Sequence, residues 1–356
     1  MKTIVLTGGG SSGHVTPNIA LLPALKRAGY SIYYIGSRDG IEKQLIENEA
    51  VPYYSISTGK LRRYFDLKNF SDAFRVTGGL FQAYSLLGKL KPALVFSKGG
   101  FVSCPLVWAA WLRRIPVIIH ESDITPGLTN KLSMPFAKKV CYTFPESEQY
   151  IPSKKGVRTG IPIRGELLKG DRSRGRTICG FTNSKPVIMV IGGSQGSRKI
   201  NEVIREALDI LLNDFNVCHI CGKGNILMDL EGKKGYKQFE YISEEQSHIY
   251  ALADLVVSRA GSTVLFELLA LKKPNLLIPL SKAASRGDQI LNAESFKKQG
   301  FSMVLQEENL DEEALVQAIY DLEASAGKYV GAMTKNEYEN GVEAVMKVIE
   351  NTGTRI

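Results

Sequence analysis

The chain has 356 residues, 44% hydrophobic and 23% charged, with a formal net charge of +9; this leaves room for two globular domains and argues against a disordered or fibrous chain. Its five cysteines are odd in number and scattered, which argues against a disulfide framework and fits a reducing compartment. The charge is lopsided: residues 1–162 hold 21 Lys and Arg against 10 Asp and Glu, and the remainder 24 against 26, so a nucleic acid, an anionic membrane or a phosphorylated substrate is expected at the first half.

Taken in order, Ile4–Leu6 predicts a buried first strand and Pro17–Ala28 a helix. Between them lies T-G-G-G-S-S-G-H-V-T-P, Thr7–Pro17. Strand, glycine loop and helix make a phosphate cradle, because glycines let N–H groups approach an anion and the helix start adds partial positive charge. Lys2 and three apolar residues do not make a signal peptide. Strand Ser31–Ile35, helix Ile41–Glu49 and strand Tyr53–Ile56 follow. Asn69–Lys91 carries Phe70, Phe74, Phe81, Tyr84 and Leu87 at helical spacing, weakened by Gly78-Gly79 and surrounded by Lys60, Arg62, Arg63, Lys68, Arg75, Lys89 and Lys91. It reads equally as a core-facing helix or as an interfacial patch for anionic head groups. A second glycine turn, S-K-G-G-F-V-S at Ser97–Ser103, separates strand Leu94–Phe96 from a helix over Val102–Arg113; strands Val117–His120 and Val140–Thr143 come next. The longest near-apolar stretch, Phe101–Leu112, is short of the ~20 residues a spanning helix needs, so a soluble or peripheral protein on the cytoplasmic side of a membrane is expected.

Gly156–Arg164 reads as a linker and Gly170–Thr177 as a surface turn. The pattern then repeats: strand Val187–Ile191, glycine loop Gly192–Ser197, helix Asn201–Leu212, strands Asn216–Ile220 and Phe239–Ile242, helix Ser247–Ala253, strand Leu255–Ser258, helix Thr263–Ala270 and strand Asn275–Leu277. Helices near Gln289–Gln299, Asp311–Ser325 and Thr334–Glu350 close the chain, the last long enough to return to the first domain. Strands alternating with helices predict parallel sheets. The expectation is two similar α/β domains facing one cleft: 1–162 with a C-terminal helix at about 336–356, and 163–335. Cys218-His219-Ile220-Cys221 has zinc half-site spacing but no second pair, and reads as a strand with buried thiols.

The chemistry gathers at the loops. Gly8–Gly13 fits G-x-G-x-x-G, but a dinucleotide site wants an acid at the end of the second strand; Arg38 stands near there instead, which leaves an NADP-dependent reductase open. His14, next to the last glycine, is suited to proton transfer near neutral pH. Glu267, one turn inside the helix after S-R-A-G-S-T, is placed to accept hydrogen bonds from a ribose diol; Asp288 and Gln289, at another helix start, suit sugar hydroxyls. No D-x-D and no acid pair of metal spacing occurs, so a mechanism without metal or other cofactor is expected, helix ends and arginines carrying the phosphate charge.

The order G-G-S-S-G-H, G-G-F-V-S, H-E-S-D, G-I-P-I-R, G-G-S-Q-G-S-R, S-R-A-G-S-T-x-x-E and D-Q-x-x-N-A closely resembles the MurG family, over nearly the whole chain. The resemblance implies a GT-B glycosyltransferase that moves N-acetylglucosamine (GlcNAc) from UDP-GlcNAc to the C4 hydroxyl of lipid I, giving lipid II of peptidoglycan by inverting displacement. It implies a donor-binding C-terminal domain, and an N-terminal domain that meets the acceptor and an anionic membrane surface peripherally. Ser11, Ser12 and Gly13 then match contacts to the donor sugar. Arg164 and Ser194 match its diphosphate ligands, Ile242 the uracil contact, Glu267 the ribose ligand and Gln289 the ligand of the GlcNAc hydroxyls. The first-half glycine turns would hold the acceptor diphosphate. Asp123 stands where the family carries Asn, and Phe101 where it carries Tyr. His14 is the first candidate for the base, ahead of Asp123 and Glu121. Rival readings are another GT-B enzyme (a glycolipid synthase or a UDP-GlcNAc epimerase) and the reductase; a nucleic-acid partner has no motif to support it.

Overall fold

The structure is a computed structural model that describes residues 2–59, 68–193, 195–282, 285–336 and 340–353. Two compact units form, residues 1–164 with 339–356, and residues 165–338.

In the first unit, β1 (Lys2–Thr7), β2 (Tyr30–Gly36), β3 (Tyr53–Ser55), β4 (Leu94–Ser97), β5 (Val117–Glu121), β6 (Lys139–Tyr142) and β7 (Gly156–Arg158) make one sheet. Its order is β3-β2-β1-β4-β5-β6-β7 and every pairing is parallel. Central parallel strands bury both faces and therefore read as unbroken apolar runs, as Ile4-Val5-Leu6 and Leu94-Val95-Phe96 do. The crossovers are α1 (Thr16–Arg27), α2 (Ile41–Glu47), α3 (Lys68–Leu90), α4 (Ser103–Leu112) and α5 (Leu128–Ser133). Ile4 and Leu6 pack with Leu21, Leu22 and Leu25 of α1 on one face, while Val5 and Val95 pack with Ala83, Leu87, Leu106 and Ala109 of α3 and α4 on the other. Gly79 tolerates its helical position because α3 lies against the Ser57 carbonyl, which a Cβ would approach to 2.1 Å.

The second unit repeats the plan. β8 (Val187–Ile191), β9 (Asn216–Ile220), β10 (Tyr236–Phe239), β11 (Leu255–Ser258), β12 (Asn275–Leu277) and β13 (Met303–Val304) run parallel in the order β10-β9-β8-β11-β12-β13. Its helices are α6 (Arg172–Cys179), α7 (Arg198–Glu206), α8 (Leu208–Leu211), α9 (Gln246–Leu252), α10 (Ser262–Leu271), α11 (Asp288–Lys298), α12 (Glu312–Ala324) and α13 (Ala326–Lys335). Ile188, Val190, Ile200, Ile204, Leu211, Leu315 and Ile319 form the core over one face. In both sheets the order reverses beside the first strand, at β1/β4 and at β8/β11, where ligands of doubly wound sheets bind, at the carboxyl ends of the strands.

The chain closes with α14 (Gly341–Gly353), which belongs to the first unit. Its Val345, Met346 and Ile349 join the core around α1. The Asn340 side chain accepts from the Ile163 N–H and donates to the Ile163 carbonyl, each at 3.2 Å.

Some stretches depart from their reading in sequence, among them Asn201–Leu212, expected as one helix and formed as α7 and α8. Gly156–Arg158 is an edge strand on β6, not part of a linker. Gly170–Thr177 is not a turn but leads into and forms most of α6, whose polar composition hides it. That helix is specified by its ends: the Asp171 carboxylate accepts from the Arg174 N–H at 2.8 Å, and Gly180 stops it in the left-handed conformation. Gly175 lets α6 close on α9, where a Cβ would sit 2.2 Å from the His248 carbonyl oxygen. The strand expected at Phe239–Ile242 ends at Phe239, and the helix expected over Thr334–Glu350 is two, α13 and α14. Cys218 and Cys221 are buried thiols on and beside β9, and His219 is hydrogen-bonded to Tyr236 and Asn201.

Gly100 has φ +84° and its Cβ position is 2.1 Å from the Gly9 carbonyl oxygen, whereas Gly29 (φ +75°) has nothing within 4 Å. Gly100→Ala is expected to destabilise the protein by about 3 kcal/mol, from backbone strain plus steric clash. Gly29→Ala is expected to cost about 1 kcal/mol, from φ alone. Thermal unfolding of the two variants checks the difference.

Candidate active-site residues in the two units

At the β1/β4 crossover the two glycine turns are in backbone contact: the Lys98 N–H donates to the Thr7 carbonyl at 2.8 Å and the Gly9 N–H to the Gly99 carbonyl at 3.3 Å. The Phe101 ring packs on Gly10, whose Cβ would lie 2.9 Å from it. The loop then forms a 3-10 turn, Ser12–His14, that leads into α1. His14 Nδ1 is 3.0 Å from the Gly9 carbonyl oxygen and 3.2 Å from Ser11 Oγ. A carbonyl oxygen only accepts, so Nδ1 carries the proton and Nε2 is the basic nitrogen of the ring. Ser11, Ser12, Gly13 and His14 are thus one half-exposed turn.

The first loop is not a simple anion cradle. The Gly10 N–H donates at 3.3 Å to the carboxylate of Glu42, a fully buried residue of α2. Glu42 also accepts from the Ser37 N–H at 3.0 Å and the Ser37 hydroxyl at 2.5 Å. A fixed negative group behind the loop opposes a second anion at that amide. No sequence pattern marked Glu42, because a G-x-G-x-x-G reading looks for its acid at the end of β2 rather than within α2.

Asp123 lies on the turn after β5. That turn is organised by Glu121, whose carboxylate accepts from the backbone N–H of Ser122, Asp123 and Gly127 and from the Asn130 amide, all at 2.8–3.1 Å. These four bonds hold the Glu121 carboxylate to its own turn. Burial raises the Glu121 carboxyl pKa. His120, buried and donating Nε2–H to the Gly160 carbonyl at 2.8 Å, is pushed down to about 3 by burial and then by Lys98, so it is neutral near pH 7. Arg164 is the last residue of the first unit's leading segment.

In the second unit, Gly196 packs on the turn after β9: it has φ +77° and its Cβ would sit 2.0 Å from the Cys221 carbonyl oxygen. Ser194 lies outside the described residues. Ser197 caps α7, accepting weakly from the Ile200 N–H at 3.4 Å, and accepts from Arg259 at 2.7 Å. Arg259, directly after β11, is held by the Ile278 carbonyl at 3.1 Å and by an ion pair with Glu307. A cavity of about 430 Å³ opens here, lined by Gly192, Gly196, Ser197, Lys199, Arg259 and Gln289 among others. It lies within the range of small-ligand sites, at the positive end of α7. Gln289 Oε1 accepts from the Leu280 N–H at 3.0 Å, which leaves the amide NH2 as its donor end. Glu267 and Ile242 are buried outside that lining, and Glu267 accepts from the Tyr250 hydroxyl at 3.3 Å. Arg259 and Glu307 were not singled out from sequence; the sign of Arg259 was an arginine set between a buried strand and a glycine turn.

A larger concavity of about 700 Å³, along α6, is lined by Arg172, Arg176 and Phe181 and by none of the glycine-loop residues. Among the described residues no cluster of three or more His, Cys, Asp or Glu is arranged to hold a metal ion. Nor is any helix there long and apolar enough to cross a membrane. The first unit nevertheless exposes large apolar side chains: Phe74 is 80% and Phe81 70% exposed on α3, and Trp111 and Leu112 project from α4. The Arg113 guanidinium lies over the Tyr84 ring at 3.8 Å. The buried face of α3 is instead Val76, Ala83 and Leu87. Lys60, Arg62 and Arg63, and the side chains of Lys68 and Phe70, lie outside the described residues.

Two parallel-sheet units, each with a glycine loop and a helix start at its strand crossover, make the two-domain architecture of the GT-B glycosyltransferases. Residues 4–142 match the glycosyltransferase family 28 N-terminal domain and residues 187–349 the family 28 C-terminal domain; the chain belongs to glycosyltransferase family 28. It is 56% identical over 350 residues, 98% of this chain and 99% of the relative, to the UDP-N-acetylglucosamine--N-acetylmuramyl-(pentapeptide) pyrophosphoryl-undecaprenol N-acetylglucosamine transferase of Clostridium botulinum (strain Hall). The crystal structure of Acinetobacter baumannii MurG superposes with a TM-score of 0.75 at 25% identity, covering 98% of this chain and 99% of that one. The Neisseria meningitidis UDP-GlcNAc 2-epimerase bound to UDP-GlcNAc shares the fold, with a TM-score of 0.71 at 14% identity over 99% of this chain and all of that one.

Against the burial that would raise it, the Glu307 carboxyl is held below the usual carboxylate range by hydrogen bonds from Arg259 and the Ser281 N–H. A carboxyl depressed on folding gives stability that is complete above its unfolded pKa and is lost as the pH falls through the folded value. Glu307→Gln is therefore expected to lower stability near neutral pH and to flatten its loss below about pH 4. Thermal unfolding of both proteins across pH checks this.

Proposed function

We propose that this chain transfers GlcNAc from UDP-GlcNAc to the C4 hydroxyl of the N-acetylmuramyl group of lipid I, forming lipid II for peptidoglycan. The 56% identity across 98% of the chain to a relative of that name carries the reading. The cavity at Ser197 and Arg259 supports a diphosphate site in the second unit: helix amides and Lys199 meet the charge, and Gln289 is the donor toward sugar hydroxyls. Ser194, Glu267 and Ile242 are proposed as further donor contacts, to diphosphate, ribose and uracil, and Arg164 as a second diphosphate ligand.

The acceptor belongs to the first unit. Its pyrophosphate needs partners other than the Gly10 N–H, which Glu42 already takes. The same bond counts against a reductase with its dinucleotide on this loop. His14 is proposed as the base: the Gly9 carbonyl fixes its tautomer, so Nε2 takes the proton of the attacking hydroxyl while UDP departs from the opposite face of the sugar. Ser11, Ser12 and Gly13 share its turn and are proposed as contacts to the donor sugar, with Asp123 as a contact to the sugars. His14→Ala is expected to lower turnover by about 10²- to 10⁴-fold while UDP still stabilises the protein against heat. Transfer of labelled GlcNAc to a lipid I analogue, with and without chelator, is the assay. Near-full activity of the variant removes His14 from the mechanism, and no transfer by the wild type to any muramyl lipid removes the function.

The exposed Phe74, Phe81 and Trp111 beside Arg75 and Arg113 are proposed as the face that meets an anionic membrane peripherally from the cytoplasmic side, apolar rings entering the head-group region while cations stay in water. Phe74→Ser with Phe81→Ser is expected to weaken sedimentation with phosphatidylglycerol vesicles by about tenfold or more. Transfer to a short-chain, soluble acceptor should be unchanged.

A further inference from the structure

The reading so far leaves one buried cation unused. Lys98, which follows β4 at the crossover, is only 1% exposed. An ammonium taken out of water needs compensation. Its Nζ donates to Ser122 Oγ at 2.9 Å. Burial lowers its pKa, and the carboxylates of Glu121 and Asp123 oppose that shift; His120, the remaining titratable group on which it acts, is neutral near pH 7.

Glu121 and Asp123 stand two residues apart on one turn. Glu121 spends its oxygens on amides of that turn, including the N–H of Asp123 at 3.1 Å, while the Asp123 carbonyl accepts from Ser147 Oγ at 3.2 Å. Hydrogen bonds therefore fix the turn's backbone, but two like charges remain close together on it. The cation between β4 and β5 offsets both. We propose that Lys98 is a positioning residue for the acceptor half of the reaction: its buried ammonium, through Ser122 and the two carboxylates, fixes the 121–127 turn that carries Asp123. This rests on the reading of the first unit as the acceptor side.

Lys98→Met removes the charge at similar volume. In the full-length variant, kcat/KM for a lipid I analogue should fall about 10- to 100-fold, the range expected when a substrate contact is misplaced, while the UDP concentration that half-stabilises the protein is unchanged. The acid limb of its pH profile should move to higher pH, because a base that loses a neighbouring cation takes up its proton more readily. Amides of residues 121–127 should exchange hydrogen faster, without substrate present. Ser122→Ala, which releases the ammonium but keeps it, should shift each readout the same way by less, and it decides the matter if Lys98→Met does not fold. A kcat/KM within about twofold of wild type with the acid limb unmoved overturns the proposal, as does an equal loss of UDP affinity, which marks a general structural role. A wild-type protein that transfers nothing to the analogue counts against the function instead, and the exchange measurement then judges Lys98.

Discussion

Each unit depends on a place where two backbones touch with no side chain between them. In the first, Gly100 lies under the Gly9 carbonyl; in the second, Gly196 lies under that of Cys221. Both pairs sit at the carboxyl ends of neighbouring parallel strands, next to the reversal of strand order. The contact brings the loop after one strand against the loop after another and so gathers residues far apart in sequence, such as His14 with Lys98 and Ser197 with Arg259. Any larger residue would push the loops apart and scatter the groups around them.

On this shared frame the glycine loops of the two units are held by side chains of opposite charge. The first turns carboxylates inward: Glu42 and Glu121 are buried and satisfied chiefly by backbone N–H groups of the loops they hold. The second turns a cation inward: Arg259 is bound to carbonyls, Ser197 and Glu307. A buried carboxylate consumes amide donors, whereas a buried arginine leaves the amides at the start of α7 to a ligand. The same topology thus yields a loop whose amide is taken by a carboxylate in one unit and a loop that borders a cavity in the other.

Much of this was legible in the chain. Unbroken apolar runs such as Ile4–Leu6 and Val187–Ile191 mark parallel strands, because both of their faces are covered, and the glycines after them mark the loops. What escaped was specified by other means. Helix α6 has almost no apolar stripe and is set by Asp171 and Gly180 at its ends. β7 is three residues on a sheet edge, too short for a pattern. Lys98, Glu42 and Arg259 were passed over because burial of a charge depends on tertiary partners such as Ser122, Ser37 and Glu307, which no local window contains. His14 was singled out because it adjoins the loop, but its tautomer rests on the Gly9 carbonyl five residues away.

The last helix carries a consequence for synthesis. The first unit is discontinuous: its sheet is complete by Arg158, yet Val345, Met346 and Ile349 of α14 cover part of the core around α1, and Asn340 clamps Ile163 from both sides. A nascent chain on the ribosome therefore holds this sheet with a bare apolar flank while the whole of the second unit is made, and can seal it only once α14 has followed. The second unit, continuous from residue 165 to 338, has all its own strands before that and is free to fold first.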